Sequence, residues 1–279
     1  MPYMAPINPE EAFRILENNN PRIVAGCTDY FPGLQQGHVD EDLLDVTRID
    51  GMRGITQTEM GWRIGGATTW TDIARASLPP AFDGLKLAAL EVGSLQIQNR
   101  GTVAGNICNA SPAADGVPPL LTMNAEIEVV STRGRRRVAL SDFITGVRQI
   151  DLKPGEMVIA IHIPDISSAA RSGFSKLGCR KHLVISIAMV GAIVDVVAGA
   201  LKDVRIAVGS CSPVAQRLPA LEARLLGQKV SDLADIDFAA GQAMAPLSPI
   251  SDVRGSAEYR LDVVSELCRR VVLDTCKGR

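Results

Sequence analysis

Three features that would point to a membrane or a nucleic-acid partner are missing from this sequence. It has no apolar run approaching the roughly 20 residues that span a bilayer, so we expect no membrane span. Its formal net charge is −2, so no broad basic field attracts nucleic acid. Its first ten residues contain three prolines and no apolar core of a secretory signal, and we therefore predict a cytoplasmic protein.

The short motifs of several enzyme classes are also missing. There is no G-x-G-x-x-G and no G-x-x-x-x-G-K-[ST], so neither a Rossmann nor a P-loop nucleotide site is supported. There is no G-x-S-x-G and no H-E-x-x-H, which are signatures of α/β-hydrolases and of zinc proteases. The sequence thus offers no catalytic residue of these classes.

The cysteines lack the spacing of a metal site. The chain has six of them, and no two form a C-x-x-C pair. The closest two, Cys268 and Cys276, are eight residues apart. This spacing argues against a zinc or iron–sulfur site in this chain. Scattered single cysteines are typical of small apolar fillers in a reducing cytoplasm.

The one basic run of the sequence is Arg133-Gly134-Arg135-Arg136-Arg137. It lies between two strand-like segments. We interpret it as an exposed hairpin turn, with a nucleic-acid site as the alternative.

Hydrophobic spacing predicts an α+β protein with two domains. Residues 1–168 mix helical and strand patterns, whereas residues 169–279 show a run of strands followed by helices, with the change of composition at residues 164–172. Helices are predicted over 10–18, 69–76, 82–92, 118–123, 218–226, 231–244 and 256–276. Strands are predicted over 22–25, 43–46, 54–58, 62–65, 127–131, 137–140, 157–163, 171–178, 185–197 and 204–208.

Residues 101–115 form the most unusual stretch. It contains two glycines four apart, small polar side chains, a proline and one carboxylate, and few of its side chains are large enough to build a core. Glycine lets a backbone approach a ligand closely, and successive N–H groups in such a turn can bind an anion. The stretch is either a ligand-binding segment or a polar surface loop.

A second candidate site is the turn at residues 26–29. It follows a short apolar strand and precedes a helix or turn at residues 30–36. A strand, a glycine turn and a helix start together form a natural anion site. An ordinary turn between a strand and a helix is the alternative.

Both segments resemble flavin-binding segments of the FAD subunits of molybdenum hydroxylases, the family of xanthine dehydrogenase and carbon monoxide dehydrogenase. Residues 23–30 are similar to the family's first segment, usually Ala-Gly-Gly-Thr-Asp, and residues 98–115 match its second. Residues 65–73 and 254–260, together with a Lys-x-x-x-Arg pattern at Lys176 and Arg180, match further segments in the same order.

The resemblance implies an FAD cofactor and a two-lobed FAD-binding domain of the vanillyl-alcohol-oxidase-like type. A C-terminal antiparallel sheet with helices, of the carbon monoxide dehydrogenase flavoprotein type, is expected to follow. The implied cofactor-binding residues are Ile23, Val24, Ala25, Gly26, Cys27, Thr28, Asp29, Tyr30, Val92, Thr102, Gly105, Asn106, Asn109, Ser111, Asp115, Val158 and Lys176.

The resemblance also implies individual roles. Residues 23–30 hold the pyrophosphate through backbone N–H groups, while Val92 lies beside the adenine and Val158 contacts the ring system. Lys176 lies near the N1–C2=O edge of the flavin, where a cation would stabilise the reduced form. The alternative for Lys176 is a solvated strand lysine.

The polar side chains of the second segment have implied roles too. Thr102, Asn106 and Asn109 bond phosphate and ribityl oxygens. Asp115 accepts a hydrogen bond from a ribityl or ribose hydroxyl. The alternative for Asp115 is a cap on the predicted helix at residues 118–123.

Two departures from the family pattern bear on function. Cys27 replaces the usual second glycine, so it is either strained at positive φ or packed at negative φ, and a nearby phosphate would oppose a thiolate. The loop after Arg180 lacks the acidic residues of many relatives, which leaves the electron acceptor open. His182 in this loop is either a pH-sensitive group or an exposed histidine, and we interpret His38 and His162 as structural or surface residues.

The expected function is electron transfer in a molybdenum hydroxylase. Electrons would pass from [2Fe–2S] clusters of a small subunit through FAD to NAD or another acceptor, and a large molybdopterin subunit would oxidise the substrate. One alternative is a free-standing FAD oxidoreductase, although residues 172–279 look too short and apolar for a substrate domain. The other is a scaffold that has lost flavin. A flavin spectrum and turnover without partners separate the three.

Overall fold

The computed structural model describes residues 2–34, 39–181 and 183–278. Its strands are β1 (Tyr3–Met4), β2 (Arg22–Val24), β3 (Leu43–Asp45), β4 (Ile55–Thr58), β5 (Gly61–Gly65), β6 (Glu126–Ser131), β7 (Gly134–Ala139), β8 (Ile144–Gly146), β9 (Gln149–Ile150), β10 (Met157–Pro164), β11 (Arg171–Leu177), β12 (Ala188–Val197), β13 (Ala200–Gly209) and β14 (Gln216–Arg217). Its α-helices are α1 (Pro9–Asn19), α2 (Trp70–Arg75), α3 (Asp83–Glu91), α4 (Leu95–Gln98), α5 (Val103–Asn109), α6 (Val117–Thr122), α7 (Leu140–Phe143), α8 (Pro219–Leu225) and α9 (Ala257–Cys276).

Three sheets carry the architecture. The first has the order β1-β3-β2 and is parallel, the second has the order β4-β5-β10-β6-β7 and is antiparallel, and the third is an antiparallel sheet of order β11-β12-β13-β14. The small strands β8 and β9 pair with each other. The predicted α+β class is confirmed, with two lobes followed by an antiparallel sheet and a long helix.

The first lobe packs α1 against the parallel sheet. Asn8 caps α1 by accepting from the N–H of Glu10 at 2.8 Å. The apolar face of α1 buries Ala12 and Leu16 against Leu44 on β3. Because α1 connects β1 to β2, the two edge strands of this sheet, it crosses over the central strand β3.

The second lobe joins the five-stranded sheet to α2, α3, α5 and α6. Thr69 and Asp72 form a capping box at the start of α2, and Trp70 and Ile73 of this helix are buried in the core. Phe82 and Ile107 also lie in this core. The lobe therefore has a rigid interior beneath the loops that face the first lobe.

The C-terminal sheet is covered on one face by α8 and α9. Ser256 caps α9 by accepting from the N–H of Tyr259 at 3.1 Å, and Val264 and Val272 pack against the sheet. The other face belongs to the core of the second lobe, since Ile193 and Ala207 lie in it. The C-terminal sheet is thus packed directly against the second lobe.

Two expectations about local structure were wrong. The predicted helix at residues 231–244 is a 3₁₀ segment, Val230–Asp235, followed by turns, because the Arg224 guanidinium takes the carbonyls of Asp237 and Ala240 at 2.9 and 2.8 Å. The stretch at residues 101–115 does contribute to the core. It contains α5, whose Val103 and Ile107 are buried.

The basic run belongs to a hairpin, but of its residues only Arg133 lies in the turn, since residues 134–137 belong to β7. β6 and β7 pair from Glu126–Ala139 to Ser131–Gly134, with the turn between them. No helix in the described parts of the chain combines the length and the apolar character needed to cross a bilayer.

Candidate functional site

A cleft of about 720 Å³ lies between the two lobes. This volume falls within the range of small-molecule sites, roughly 300–1,000 Å³. Three stretches of chain contribute lining residues: 22–34, which begins with β2, 101–109 around α5, and 150–158. The structure brings together at this cleft Ile23, Val24, Ala25, Gly26, Cys27, Thr28, Asp29, Tyr30, Val92, Thr102, Gly105, Asn106, Asn109 and Val158.

Gly26 holds the first two segments in contact. A Cβ atom at this position would lie 2.0 Å from the carbonyl oxygen of Arg100, which no side chain can tolerate. The turn after β2 therefore rests on the backbone that leads into α5. The two segments singled out from the sequence form adjoining walls of one cleft.

Cys27 adopts the left-handed conformation, with φ of 59°, which decides between its two alternatives in favour of a strained turn. Its Sγ lies 3.4 Å from the carbonyl oxygen of Ala25. Burial, and then the charge of Asp45, raise the pKa of this thiol. Cys27 thus holds a left-handed backbone of the kind that glycine adopts most readily, and the raised pKa favours its neutral thiol.

The second wall contains a polar group with no partner. Thr102 caps α5, with its hydroxyl accepting from the N–H of Gly105 at 3.1 Å. One turn on, the side-chain oxygen Oδ1 of Asn106 is buried and lacks a hydrogen-bond partner. A buried amide oxygen without a partner is costly in a folded protein. Because Asn106 lines the cleft, its side-chain amide is suited to bond a ligand.

Asn109 is oriented by a side chain from the β8–β9 turn. Arg148 Nη1 donates to the main-chain carbonyl of Asn109 at 3.0 Å and also to its Oδ1. The main-chain N–H of Arg148 donates to Ala110. Because the guanidinium bonds both the main-chain oxygen and the side-chain oxygen of Asn109, the side-chain NH₂ of Asn109 is the group that remains for a ligand.

Three predicted residues do not line this cleft. The Ser111 hydroxyl lies 3.3 Å from the N–H of Ala113. Asp115 and Lys176 form a buried ion pair, with 2.8 Å between Oδ2 and Nζ. Their roles toward a cofactor stay predictions.

The pair of Asp115 and Lys176 is satisfied by protein groups. Oδ1 of Asp115 accepts from the Ser186 hydroxyl at 2.9 Å, and Nζ of Lys176 donates to the carbonyl of Glu91 at 3.2 Å. Only 9% of the Asp115 side chain and 6% of the Lys176 side chain are exposed. Burial raises the pKa of Asp115, and the ammonium partly opposes that rise.

Two simpler interpretations of these residues were wrong. Lys176 is not a solvated strand lysine, because its side chain is buried. Asp115 does not cap the following helix, since Gly116 stands at the N-cap and no side chain bonds there.

The third wall was largely missed from the sequence, which indicated only Val158. Residues 150–157 also line the cleft, apart from Asp151. The usable signal was the Lys153-Pro154-Gly155 turn between two strand patterns, because such turns carry ligand contacts on a rigid scaffold.

His162 does not line this cleft. Nε2 of His162 lies 2.7 Å from the buried carboxylate of Glu128 on the neighbouring strand, which fits the structural role expected of it. His38 and His182 lie outside the described residues.

Two protein-family models match the chain, one over its N-terminal part and one over its C-terminal part. Residues 1–166 match the family model described as FAD binding domain in molybdopterin dehydrogenase. Residues 174–275 match the model described as CO dehydrogenase flavoprotein C-terminal domain.

Similar proteins cover almost the whole chain. The glyceraldehyde dehydrogenase medium chain of Sulfolobus acidocaldarius is 30% identical, over 92% of each chain. A putative xanthine dehydrogenase FAD-binding subunit of Escherichia coli is 29% identical, over 92% of this chain and 89% of that one. The solved carbon monoxide dehydrogenase of Hydrogenophaga pseudoflava, in a form lacking the Mo-pyranopterin moiety, has a chain that is 26% identical with a TM-score of 0.89, over 99% of this chain and 97% of that chain.

Proposed function

Because the chain belongs to the family of FAD-binding medium subunits of the xanthine and carbon monoxide dehydrogenases, we propose that it is the electron-transfer component of a molybdenum hydroxylase. Electrons would come from [2Fe–2S] clusters on a small subunit and leave to NAD or another acceptor. A large molybdopterin subunit would oxidise the organic substrate. Relatives named medium chain or medium subunit support such an assembly.

The FAD is proposed to lie in the cleft between the lobes. The observation that carries this placement is the Asn106 side chain, which lines the cleft and whose Oδ1 has no hydrogen-bond partner in the protein. A phosphate or ribityl oxygen can bond the Asn106 amide, and the residues present therefore fit the group. The adjoining turn at residues 26–29 offers backbone N–H groups for the pyrophosphate.

Bound FAD supplies the redox chemistry, since a flavin ring exchanges electrons both singly and in pairs. This chain's residues bind and orient the cofactor. Thr102 and Gly105 shape the wall from which Asn106 projects, and Arg148 presents the Asn109 amide. Val92 and Val158 supply apolar surface, which excludes water from a ring packed on them.

The substitution Asn106→Ala tests the placement. Loss of one hydrogen bond, about 1–1.5 kcal/mol, should raise the FAD dissociation constant about tenfold. Stability of the FAD-free chain should stay the same or rise slightly, because an unpartnered buried oxygen is removed. Fluorescence titration with FAD and urea unfolding measure the two quantities.

Asn18→Ala is the control, because Asn18 is an exposed residue of α1 outside the cleft lining. It should leave the FAD dissociation constant unchanged. Wild-type FAD affinity in Asn106→Ala would reject the placement.

The assembly has its own test. Purification of the chain from its native host should recover two further subunit types, one with [2Fe–2S] clusters and one with molybdopterin. Full turnover of an organic substrate by the isolated chain would instead support the free-standing oxidoreductase.

We also propose a cytoplasmic location, which the six free cysteines support.

A further inference from the structure

The third wall of the cleft is held by one arginine of the basic hairpin. Arg136 projects from β7 toward residues 151–156, on the opposite face of the strand from Arg135 and Arg137, as strand alternation requires. It is the least exposed of these three arginines: 27% of its side chain is accessible, against 66% and 49%.

Its guanidinium binds both ends of this segment. Nε and Nη2 donate to the two carboxylate oxygens of Glu156 at 3.0 and 2.8 Å, which is a bidentate pair. Nη1 donates to Oδ2 of Asp151 at 2.6 Å, and Nη2 donates to the main-chain carbonyl of Asp151 at 2.7 Å. Four charge-assisted bonds thus close the segment between Asp151 and Glu156.

Two further contacts complete the arrangement. Glu156 Oε2 accepts from the N–H of Lys153 at 2.8 Å, and Arg133 Nη2 donates to the carbonyl of Pro154 at 2.7 Å. The arginine bonds hold the Glu156 pKa below its usual range. Residues on either side of these bonds, Leu152 and Met157, face the cleft.

We propose that Arg136 is a positioning residue for the cofactor: by joining Asp151 to Glu156 it holds residues 150–158 as a preformed wall of the FAD cleft. The proposal rests on the placement of FAD in that cleft. When the wall is already held in its binding conformation, ligand binding loses no conformational entropy from ordering it. A wall that is in this conformation only a tenth of the time weakens apparent affinity tenfold.

The test compares Arg136→Gln with Arg137→Gln in the full chain. Arg137 is the matched control, because it is in the same strand and pairs only loosely, with 3.6 Å between its Nη1 and Oε2 of Glu126. We expect Arg136→Gln to raise the FAD dissociation constant about tenfold or more and Arg137→Gln to leave it unchanged. In FAD-free protein, hydrogen exchange of amides 151–157 should speed up only in Arg136→Gln.

Conservative variants keep the test decisive if Arg136→Gln does not fold. Arg136→Lys keeps the charge but not the bidentate geometry, so it should restore part of the affinity. Asp151→Asn and Glu156→Gln each weaken one end and should give intermediate losses. Wild-type affinity and wild-type exchange at residues 151–157 in all of these variants would overturn the inference.

The Asn106→Ala titration separates this inference from the proposed placement. If Asn106→Ala weakens FAD and the Arg136 variants do not, the wall is not held by Arg136 in the way proposed. If neither weakens FAD, the cofactor lies elsewhere and both proposals fail.

Discussion

The buried pair of Asp115 and Lys176 gives a quantitative prediction about stability. Replacing Asp115 by Ala leaves the Lys176 ammonium with the Glu91 carbonyl, 3.2 Å away, as its remaining described acceptor. Both side chains are more than 90% buried. Removing one partner of such a pair costs about 3–5 kcal/mol, because an uncompensated charge stays in the interior.

A double substitution should recover most of that loss. Lys176→Met alone leaves the Asp115 carboxylate buried with the Ser186 hydroxyl as its partner. The loss of unfolding free energy in this variant should become smaller at low pH, because the carboxyl is then protonated and no charge is buried. Lys176→Met with Asp115→Leu replaces both charges by apolar groups, which is often close to neutral. Urea unfolding of the wild type, Asp115→Leu, Lys176→Met and the double variant closes a double-mutant cycle.

The matched control is an exposed pair. Glu266 pairs with Arg270, whose side chain is 65% exposed, and Glu266→Gln should cost no more than about 1 kcal/mol. A loss below about 1 kcal/mol in Asp115→Ala would refute the ion-pair reasoning.

The predicted ligand role of Asp115 has a different signature. A charge-assisted bond to a cofactor hydroxyl is worth about 1.5–3 kcal/mol, so its loss would raise the FAD dissociation constant roughly 10- to 150-fold. Stability of the FAD-free chain would then change little. Measuring both quantities in Asp115→Ala decides whether the carboxylate serves the fold, the cofactor or both.

Two further predictions concern backbone strain and acid stability. Cys27→Gly should be about 1 kcal/mol more stable than Cys27→Ala, because only glycine relieves the strain at φ of 59°; equal unfolding free energies would contradict this. The N–H of Arg254, with the side chains of Arg254 and Arg260, lowers the pKa of Asp252 to about 2, below its unfolded value of about 3.9. The Asp252 carboxylate therefore stabilises the fold above about pH 4, and this stabilisation is lost as the pH falls toward 2. Asp252→Asn should be less stable than the wild type at pH 7 and should lose less unfolding free energy than the wild type between pH 4 and 2. The same pH dependence of the unfolding free energy in both proteins would contradict this prediction.

Local patterns were enough to predict the first two walls of the cleft. A glycine turn after an apolar strand and a stretch of small polar residues each have a local signature. What they could not show is that Gly26 rests on the Arg100 carbonyl, because that contact joins distant parts of the chain. Nor did the polar composition reveal that Val103 and Ile107 of α5 enter the core.

The contacts that hold the site together depend on strand register. The hairpin at Arg133 was predictable, yet nothing local distinguishes Arg136 from Arg135 and Arg137 until β7 pairs with β6. In the same way, Asp115 meets Lys176 only after the C-terminal sheet packs on the second lobe. Long-range pairs of this kind have no spacing signal in a single sequence.

The most direct test of the central claim is hydrogen exchange of the full chain with and without FAD. We predict that FAD slows exchange at amides 23–30, 102–109 and 150–158, the three walls of the cleft, and that Asn106→Ala needs about tenfold more FAD for the same protection. Saturating FAD that leaves these three segments unprotected, or that protects a different surface, would contradict the account.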